Sequence, residues 1–360
     1  MKKQRKKIDD TMSPVEALQN KYGKEKIGMF ADSDLGEIRW GIPTGLITLD
    51  MVIGRPGLPA GRVVETYGLE SHGKSSFAVQ MMAQTQKVGG VVVLCNTESD
   101  YEKQRLDKVF NVVTSDVITL YPDHLEQVLD MCEDAAKIVR IRNPFPTPIL
   151  QVWDSVAQTQ AMAEKESRYE DDFMGLHARI LSKGMRKFQK TLSATQVSFL
   201  AVNQMKQTMN PYGEKWVTFG GKALKFAASL RLKSRRSEKL MSQGSGEAQS
   251  LTKQSDPTGI LQEFLAEKNK LGAPFRKTEI ELNFREGYNE KKDLFRGAVQ
   301  LGAITLGGAG NAKWHGSRRT YTFKSKEWND MIDKLGGFDK VYKNLQQKAI
   351  AKKFLEPYGD

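Results

Sequence analysis

The stretch "GLESHGKS", residues 68–75, has the form G-x-x-x-x-G-K-S. In a loop of this type successive backbone N–H groups point into one concavity, the lysine reaches the β- and γ-phosphates, and the last hydroxyl meets Mg²⁺. Gly68, Leu69, Glu70, Ser71, His72, Gly73, Lys74, Ser75 and the adjoining Ser76 are therefore candidate nucleotide contacts. Upstream, "GRVVETY" (61–67) is an apolar-rich run suited to a buried strand. Downstream, "SSFAVQMMAQTQ" (75–86) spaces Phe77, Val79, Met81 and Met82 as a helix would. Strand, glycine loop and helix is the order a phosphate site requires, because the helix N-terminus adds partial positive charge.

Hydrolysis needs more: a carboxylate that orients Mg²⁺ and a group that positions water. "PILQVWDSVAQ" (148–158) closes a strand-like run with Asp154, which falls at a strand's carboxyl end, where open α/β sheets place ligands. A helix N-cap is its structural alternative. "VVVLCNTESDYEK" (91–103) puts Glu98 just beyond another strand, where a carboxylate can polarise water. "FLAVNQMKQ" (199–207) places Asn203 and Gln204 just past a third, and a neutral amide there can donate or accept without adding charge. Three strand ends would then converge on one phosphate.

A chain of 360 residues has room for one large α/β domain with one or two small ones. The runs "RVVETY", "GGVVVLC", "DVITLY", "PILQVWD" and "VSFLAVN" alternate with helical stretches, the pattern of a mostly parallel twisted sheet flanked by helices. The expected divisions are an N-terminal arm at 1–35 with a helix around "PVEALQNKYG", a core at 36–289, and a small basic α+β module at 290–360. Within the core, "GILQEFLAEKNK" and "FRKTEIELNFREG" read as further strands. Residues 237–259, rich in Ser, Gly, Gln and charge, read as a mobile hairpin tip or insertion.

Lys plus Arg number 55 against 43 Asp plus Glu, and the formal charge of +12 favours polyanionic partners. Cys95 and Cys132 fit buried thiols in a reducing compartment. The basic opening "MKKQRKKIDD" is followed by "TMSPVEALQN" instead of the apolar segment of an export signal. The longest strongly apolar run, "VVVLC" (91–95), is far short of the ~20 residues of a membrane helix. The expectation is a soluble, cytoplasmic protein without a membrane partner.

Two stretches suit nucleic acid. In "MGLHARILSKGMRKFQK" (174–190) the apolar Leu176, Ile180, Leu181, Met185 and Phe188 keep helical spacing, and Arg179, Lys183, Arg186, Lys187 and Lys190 form a stripe displaced around the axis. Such a stripe is either a solvated face or a set of phosphate contacts. "MKQTMNPYGEKWVTFGG" (205–221) carries Met205, Met209, Tyr212, Trp216 and Phe219 among basic residues, which suits stacking on bases or wedging between them. Gly220 and Gly221 would let backbone N–H groups approach phosphates. The alternative is a hydrophobic loop folded onto the surface.

The stretches "NKYGKEKIGMF", "IPTGLITLDMVIG", "GLPAGRVVETYGLESHGKSS", "FMGLHARILSKGMRKFQK", "VNQMK", "FGGKALKFAASLRLKSRR" and "EKNKLGAPF" occur in one order between about Pro14 and Gly287. In them the chain resembles the RecA-type DNA recombinases, in a compact bacteriophage or bacterial form. The resemblance implies a RecA-like P-loop ATPase with ATP and Mg²⁺ as cofactors. It also implies a homo-oligomeric helical filament on single-stranded DNA, DNA-dependent ATP hydrolysis, and pairing and strand exchange with homologous double-stranded DNA. Single-strand-binding and loader proteins would be further partners, although no motif marks them.

Position by position, the resemblance makes Glu98 the catalytic carboxylate, Asp154 with Ser75 the Mg²⁺ site and Gln204 the γ-phosphate sensor. Lys268 and Lys270 of "EKNK" would reach the ATP of a neighbouring protomer, which sets the site between subunits. Met174 and Met209 align with residues that insert between nucleotide triplets. Ser182, Arg186, Gly220, Gly221 and Lys222 align with phosphate contacts, and Gly175 and Arg179 belong to the same DNA-facing set. There are departures. The family's "DAEHALD" is "NTESDYE" here (96–102), and its usual adenine-stacking aromatic aligns with Arg105, leaving Tyr101 one turn earlier; both are candidate adenine contacts. Lys222 replaces the usual Asn. The end "QQKAIAKKFLEPYGD" is basic where the family carries an acidic tail, so autoinhibition of DNA uptake by such a tail is expected to be weak. A hexameric helicase or translocase on the same fold, and a DNA-binding regulator without turnover, are the alternatives. "EKNK" and "FGGKALKF" disfavour the first, and the intact Gly73, Lys74, Ser75, Glu98 and Asp154 disfavour the second.

Overall fold

The computed structural model describes residues 12–29, 38–98, 101–166, 175–208, 214–241, 256–316 and 319–358. Residues 1–37 and 38–360 are two separate compact units. In the first, Pro at the first turn and a Ser13–Glu16 capping box start helix α1 (Pro14–Tyr22), none of whose residues is buried.

The second unit begins with a short ladder, β1 (Gly41–Ile42) with β2 (Leu58–Pro59), around helix α2 (Ile47–Ile53). The five apolar runs then form β3 (Val63–Gly68), β4 (Val91–Asn96), β5 (Val117–Leu120), β6 (Ile149–Asp154) and β7 (Ser198–Gln207). They lie side by side in the order β3-β7-β6-β4-β5, and every pair is parallel. Parallel strands are covered on both faces, which is why their sequences read as nearly continuous apolar runs. Alternate residues serve opposite faces. Val64, Val92, Leu150 and Leu200 pack with α3 (Lys74–Lys87) and α4 (Lys103–Phe110). Val63, Val93, Ile149 and Phe199 pack with α5 (Leu125–Arg142) and, beyond the short α6 (Met162–Glu166), with α7 (Leu176–Thr195).

On the other flank β8 (Trp216–Thr218) and α8 (Lys222–Ala227) precede β9 (Leu230–Met241), which pairs in parallel with β3. An antiparallel extension follows: β10 (Pro257–Asn269), β11 (Lys277–Asn283) and β12 (Gly287–Tyr288). Both stretches expected to be strands here are strands. The expectation for 237–259 is corrected at both ends: residues 237–241 belong to β9 and 257–259 to β10, where the long antiparallel ladder supplies backbone partners that composition does not reveal. Residues 242–255 lie outside the described residues.

The C-terminal part comprises α9 (Glu290–Gln300), β13 (Ile304–Leu306), β14 (Asn311–His315), β15 (Thr320–Lys324), α10 (Trp328–Lys334) and α11 (Phe338–Ala351). Its antiparallel sheet, β13-β14-β15, packs around Trp314, Phe323 and Trp328. Ile47 and Met51 of α2 complete that core, and Tyr342 and Gln346 of α11 donate to the buried carboxylate of Asp50. The module is thereby joined to the sheet-bearing part in one unit.

Candidate nucleotide and DNA site

The phosphate loop runs from Gly68, the last residue of β3, to Lys74, the first of α3. Gly73 has φ +76°, and a Cβ there would meet Gln262 Oε1 at 2.5 Å, so only glycine fits. The loop is held from outside. Ser234 Oγ of β9 donates to the His72 carbonyl at 2.5 Å, and Gln262 Nε2 of β10 donates to Ser234 Oγ at 2.7 Å. Burial pushes the His72 imidazole below its ordinary pKa. The ammonium of Lys74 is nearly buried and donates to the Leu69 carbonyl at 2.7 Å. Burial lowers its pKa, against the attraction of Asp154, Glu98 and Glu70.

Asp154 is the last residue of β6 and 1% exposed. Burial lifts its carboxyl from 3.8 to about 6, assisted by Glu98 and opposed by the hydroxyls of Tyr101 and Ser75 and by Lys74. Tyr101 Oη donates to Asp154 Oδ2 at 2.5 Å, whereas Oδ1 is buried without a hydrogen bond. An unpartnered oxygen on a buried carboxylate that also feels the Ser75 hydroxyl suits a hard, oxygen-seeking cation. Mg²⁺ commonly takes one or two carboxylates and fills its shell with water and substrate phosphate. Among the described residues there is no cluster of three or more His, Cys, Asp and Glu that could hold a metal.

Glu98 lies two residues beyond β4. Its Oε1 accepts from Ser155 Oγ and from Gln204 Nε2, the latter at 3.2 Å. Glu98, Asp154 and Gln204 are therefore brought together beside Lys74. A cavity of about 220 Å³ adjoins them, lined by Ser75, Ser76, Glu98, Tyr101 and Asp154 and by Val79, Glu102, Arg105, Leu106 and Phe110. One expectation gains a second role and one is corrected. Tyr101 lines this cavity, but its hydroxyl is committed to Asp154, which makes it a partner of the acidic site as well as a candidate adenine contact. Asn203 and Gln204 are not past a strand end. β7 continues to Gln207: its parallel pairing with β3 stops at Gln204, and from Met205 it pairs with β8 instead.

Residues 205–208 and 214–221 are thus partly ordered by the β7–β8 ladder, which anchors the candidate DNA loop. Asn203 Nδ2 donates to the Phe219 carbonyl at 3.0 Å, and the Phe219 N–H donates to the Gln204 carbonyl at 3.3 Å. Gly220 has φ +76°, and a Cβ on it would lie 2.5 Å from Leu181 Cδ2; a Cβ on Gly221 would lie 3.2 Å from Ala178 Cβ. The glycine pair therefore seats on α7, a packing reason beyond phosphate approach. On α7, Leu181, Met185 and Phe188 are buried while Arg179, Ser182, Lys183, Arg186 and Lys190 are exposed, as the spacing predicts. Lys187 is taken up by Glu133 at 2.9 Å. Gly175 caps α7 with φ +79°, and Lys222 opens α8 on the surface.

The family model for the RecA N-terminal domain matches residues 6–289. The chain belongs to the RecA family. It is 32% identical to Protein RecA of Ureaplasma parvum serovar 3 over 301 residues, 83% of this chain and 84% of that protein. It is 31% identical to Protein RecA of Leptospira meyeri over 314 residues, covering 86% and 76%. With Protein RecA of Thermus thermophilus the identity is 31% over 296 residues, 82% of each.

Within this RecA-family chain, Lys268 and Lys270 stand apart from the phosphate loop. Lys268 of β10 pairs with Arg231 of β9, itself level with Glu65 of β3, three residues before Gly68. At 3.3 Å per residue that is roughly 10 Å along the strands. Lys268 Nζ donates to the carbonyls of Lys225 and Phe226 at the end of α8, at 2.6 and 3.2 Å. Met174 and Met209 lie outside the described residues. Sequence reading missed Ser155, which engages Glu98, and the Ser234–Gln262 tether. For Gln262 the available signal was a polar residue interrupting the apolar run "GILQEFLA"; for Ser234, buried in β9 but set in the charged run "LRLKSRR", there was none. No helix among the described residues is long and apolar enough to cross a membrane.

Proposed function

We propose that this chain hydrolyses ATP, with Mg²⁺, at the Gly68–Ser75 loop and uses the nucleotide cycle to govern a filament on single-stranded DNA. Its function is that of its family, recombination by homologous pairing and strand exchange; the helicase and non-hydrolysing alternatives are not favoured. The observation that carries the ATPase reading is the meeting of Lys74 at the start of α3, Glu98 and Asp154 at the ends of β4 and β6, and Gln204 where β7 leaves β3.

Each residue's role follows from its chemistry. The backbone of the phosphate loop and the Lys74 ammonium bind the β- and γ-phosphates. Ser75 and Asp154 Oδ1 would hold Mg²⁺, which when bound screens phosphate charge and orients the phosphoryl group. Glu98 accepts the proton of the attacking water. Gln204, bonded to Glu98 and followed directly by the β7–β8 ladder, passes the state of that centre to the DNA loop.

Lys268 and Lys270, remote from the chain's own loop, are read as contributions to a neighbour's site, and the arm at 1–35 as a contact between protomers. Met174, Gly175, Arg179, Ser182, Arg186, Met209, Gly220, Gly221 and Lys222 form the DNA-facing set. The test is electron microscopy and joint-molecule formation with single-stranded DNA, a homologous duplex, ATP and Mg²⁺. Helical filaments and ATP-dependent joint molecules are expected. Closed rings alone, without exchange, would favour the helicase reading.

A further inference from the structure

We propose that Tyr101 is a positioning residue of the metal site, its hydroxyl fixing Asp154 Oδ2 so that Oδ1 is the oxygen presented to the ion. This rests on the nucleotide-site reading above and adds a residue to it. The two carboxylate oxygens of Asp154 have different surroundings. Oδ2 accepts from Tyr101 Oη at 2.5 Å, whereas Oδ1 is buried and has no hydrogen-bond partner. With the residue only 1% exposed, the second oxygen has no protein donor and can be satisfied only from the adjoining cavity, and a buried acceptor left unpaired is costly. A cation ligated there removes that cost.

The torsion that turns a carboxylate is soft and nearly two-fold, so without a partner the two oxygens exchange roles. A phenol whose ring is anchored breaks that symmetry. The Tyr101 ring packs against the core cluster that contains Val79, Leu106 and Phe110, which leaves its hydroxyl little freedom to follow a rotating carboxylate. The strand ends are clamped nearby as well. Thr97 N–H donates to the Asp154 carbonyl at 2.9 Å, Ser155 N–H donates to Thr97 Oγ1 at 2.8 Å, and Thr97 Oγ1 donates to the Ser155 carbonyl at 2.9 Å. Backbone at β6 and side chain at Asp154 are thus both referred to the segment after β4, which also carries Glu98.

Where the pattern "DAEHALD" has leucine, "NTESDYE" has Tyr101, and leucine has no donor to offer a carboxylate.

The test uses the full chain with Tyr101→Phe and Tyr101→Leu. A fluorescent, slowly hydrolysed ATP analogue is titrated with Mg²⁺ and again in EDTA, and bound Mn²⁺ is read by electron paramagnetic resonance. Tyr101→Phe, which keeps the ring, is expected to raise the half-saturating Mg²⁺ concentration about tenfold, as befits one hydrogen bond to a charged group. The melting temperature should fall by only a few degrees, since Oδ2 then also lacks a partner, nucleotide affinity in EDTA should change far less than the Mg²⁺ dependence because the ring is kept, and the Mn²⁺ lines should broaden as carboxylate orientations mix. An unchanged Mg²⁺ dependence in Tyr101→Phe overturns the proposal. So does weaker binding in Tyr101→Leu alone, equal with and without metal, which makes the ring a platform for the base. Lower melting temperature with lost binding in EDTA for both variants makes the role merely structural and overturns it too. A wild-type chain that binds no nucleotide overturns the underlying site reading, a result distinct from all of these.

Discussion

Gln204 Nε2 and Glu98 Oε1 are joined by a hydrogen bond of 3.2 Å, and Gln204 is the last residue of β7 that pairs with β3. One residue later β7 takes β8 as partner, and the Phe219 N–H returns to the Gln204 carbonyl. The carboxylate proposed to activate water and the base of the proposed DNA loop therefore meet at one residue.

Replacing Gln204 by Ala is expected to leave nucleotide affinity within about twofold, since the phosphate loop is untouched. It should abolish the nucleotide-dependent gain in single-stranded DNA affinity, measured by fluorescence anisotropy with and without a slowly hydrolysed ATP analogue. A retained gain would separate the loop from the sensor.

Glu98→Gln keeps a hydrogen-bonding amide of the same size and loses the base. Turnover should fall by roughly 10²–10⁴-fold while nucleotide and DNA binding persist, because only proton transfer is removed. Single-turnover phosphate release beside equilibrium binding checks this.

The strand ends at Asp154 and Glu98 were legible because buried parallel strands leave unbroken apolar runs whose termini are easy to see. Helix α7 was equally legible from its two displaced stripes. The continuation of β7 was not, since "MKQ" and "WVT" acquire strand character only from pairing with each other across a loop. Tyr101 read as an aromatic in search of a base because nothing in "NTESDYE" says where its hydroxyl will point. Lys268 likewise shows no sequence sign of its bonds to the end of α8, 42 and 43 positions away.

Breaking the buried charge network around Glu65 should be strongly destabilising. Arg231 is 3% exposed and donates to Glu65, itself fully buried, and to Glu267 at 2.9 Å; Asn203 donates to the same Glu65 at 2.8 Å. Arg231→Ala leaves Glu65 uncompensated and is expected to cost about 3–5 kcal/mol in urea unfolding. Loss under about 1 kcal/mol would mean that the pair is solvated in solution.

Burial lifts the Asp50 carboxyl from 3.8 to about 7, against the opposing bonds from Tyr342, Thr44 and Gln346. The folded pKa lies above the unfolded value, so the folded chain holds this proton more tightly. Its favourable contribution is complete below 3.8, declines as pH rises towards about 7, and is absent above that. Relative to Asp50→Asn, wild-type stability should fall across that window by up to about 1.4 kcal/mol per pH unit. Parallel stability profiles for the two proteins would contradict it.

Arg186 is exposed on α7 beyond the contact of Gly220 with Leu181. Arg186→Ala should flatten the dependence of log affinity for single-stranded DNA on log salt by about 0.7, the loss of one phosphate contact. Equal slopes would remove Arg186 from the interface.

The most direct measurement is phosphate release from ATP by the wild-type chain and by Lys74→Ala, each with and without single-stranded DNA. Hydrolysis is expected to rise at least about tenfold with DNA in the wild type and to be lost in Lys74→Ala under both conditions, because the β- and γ-phosphates lose their cation. Hydrolysis by Lys74→Ala at the wild-type rate, or a wild-type rate indifferent to DNA, would contradict this expectation.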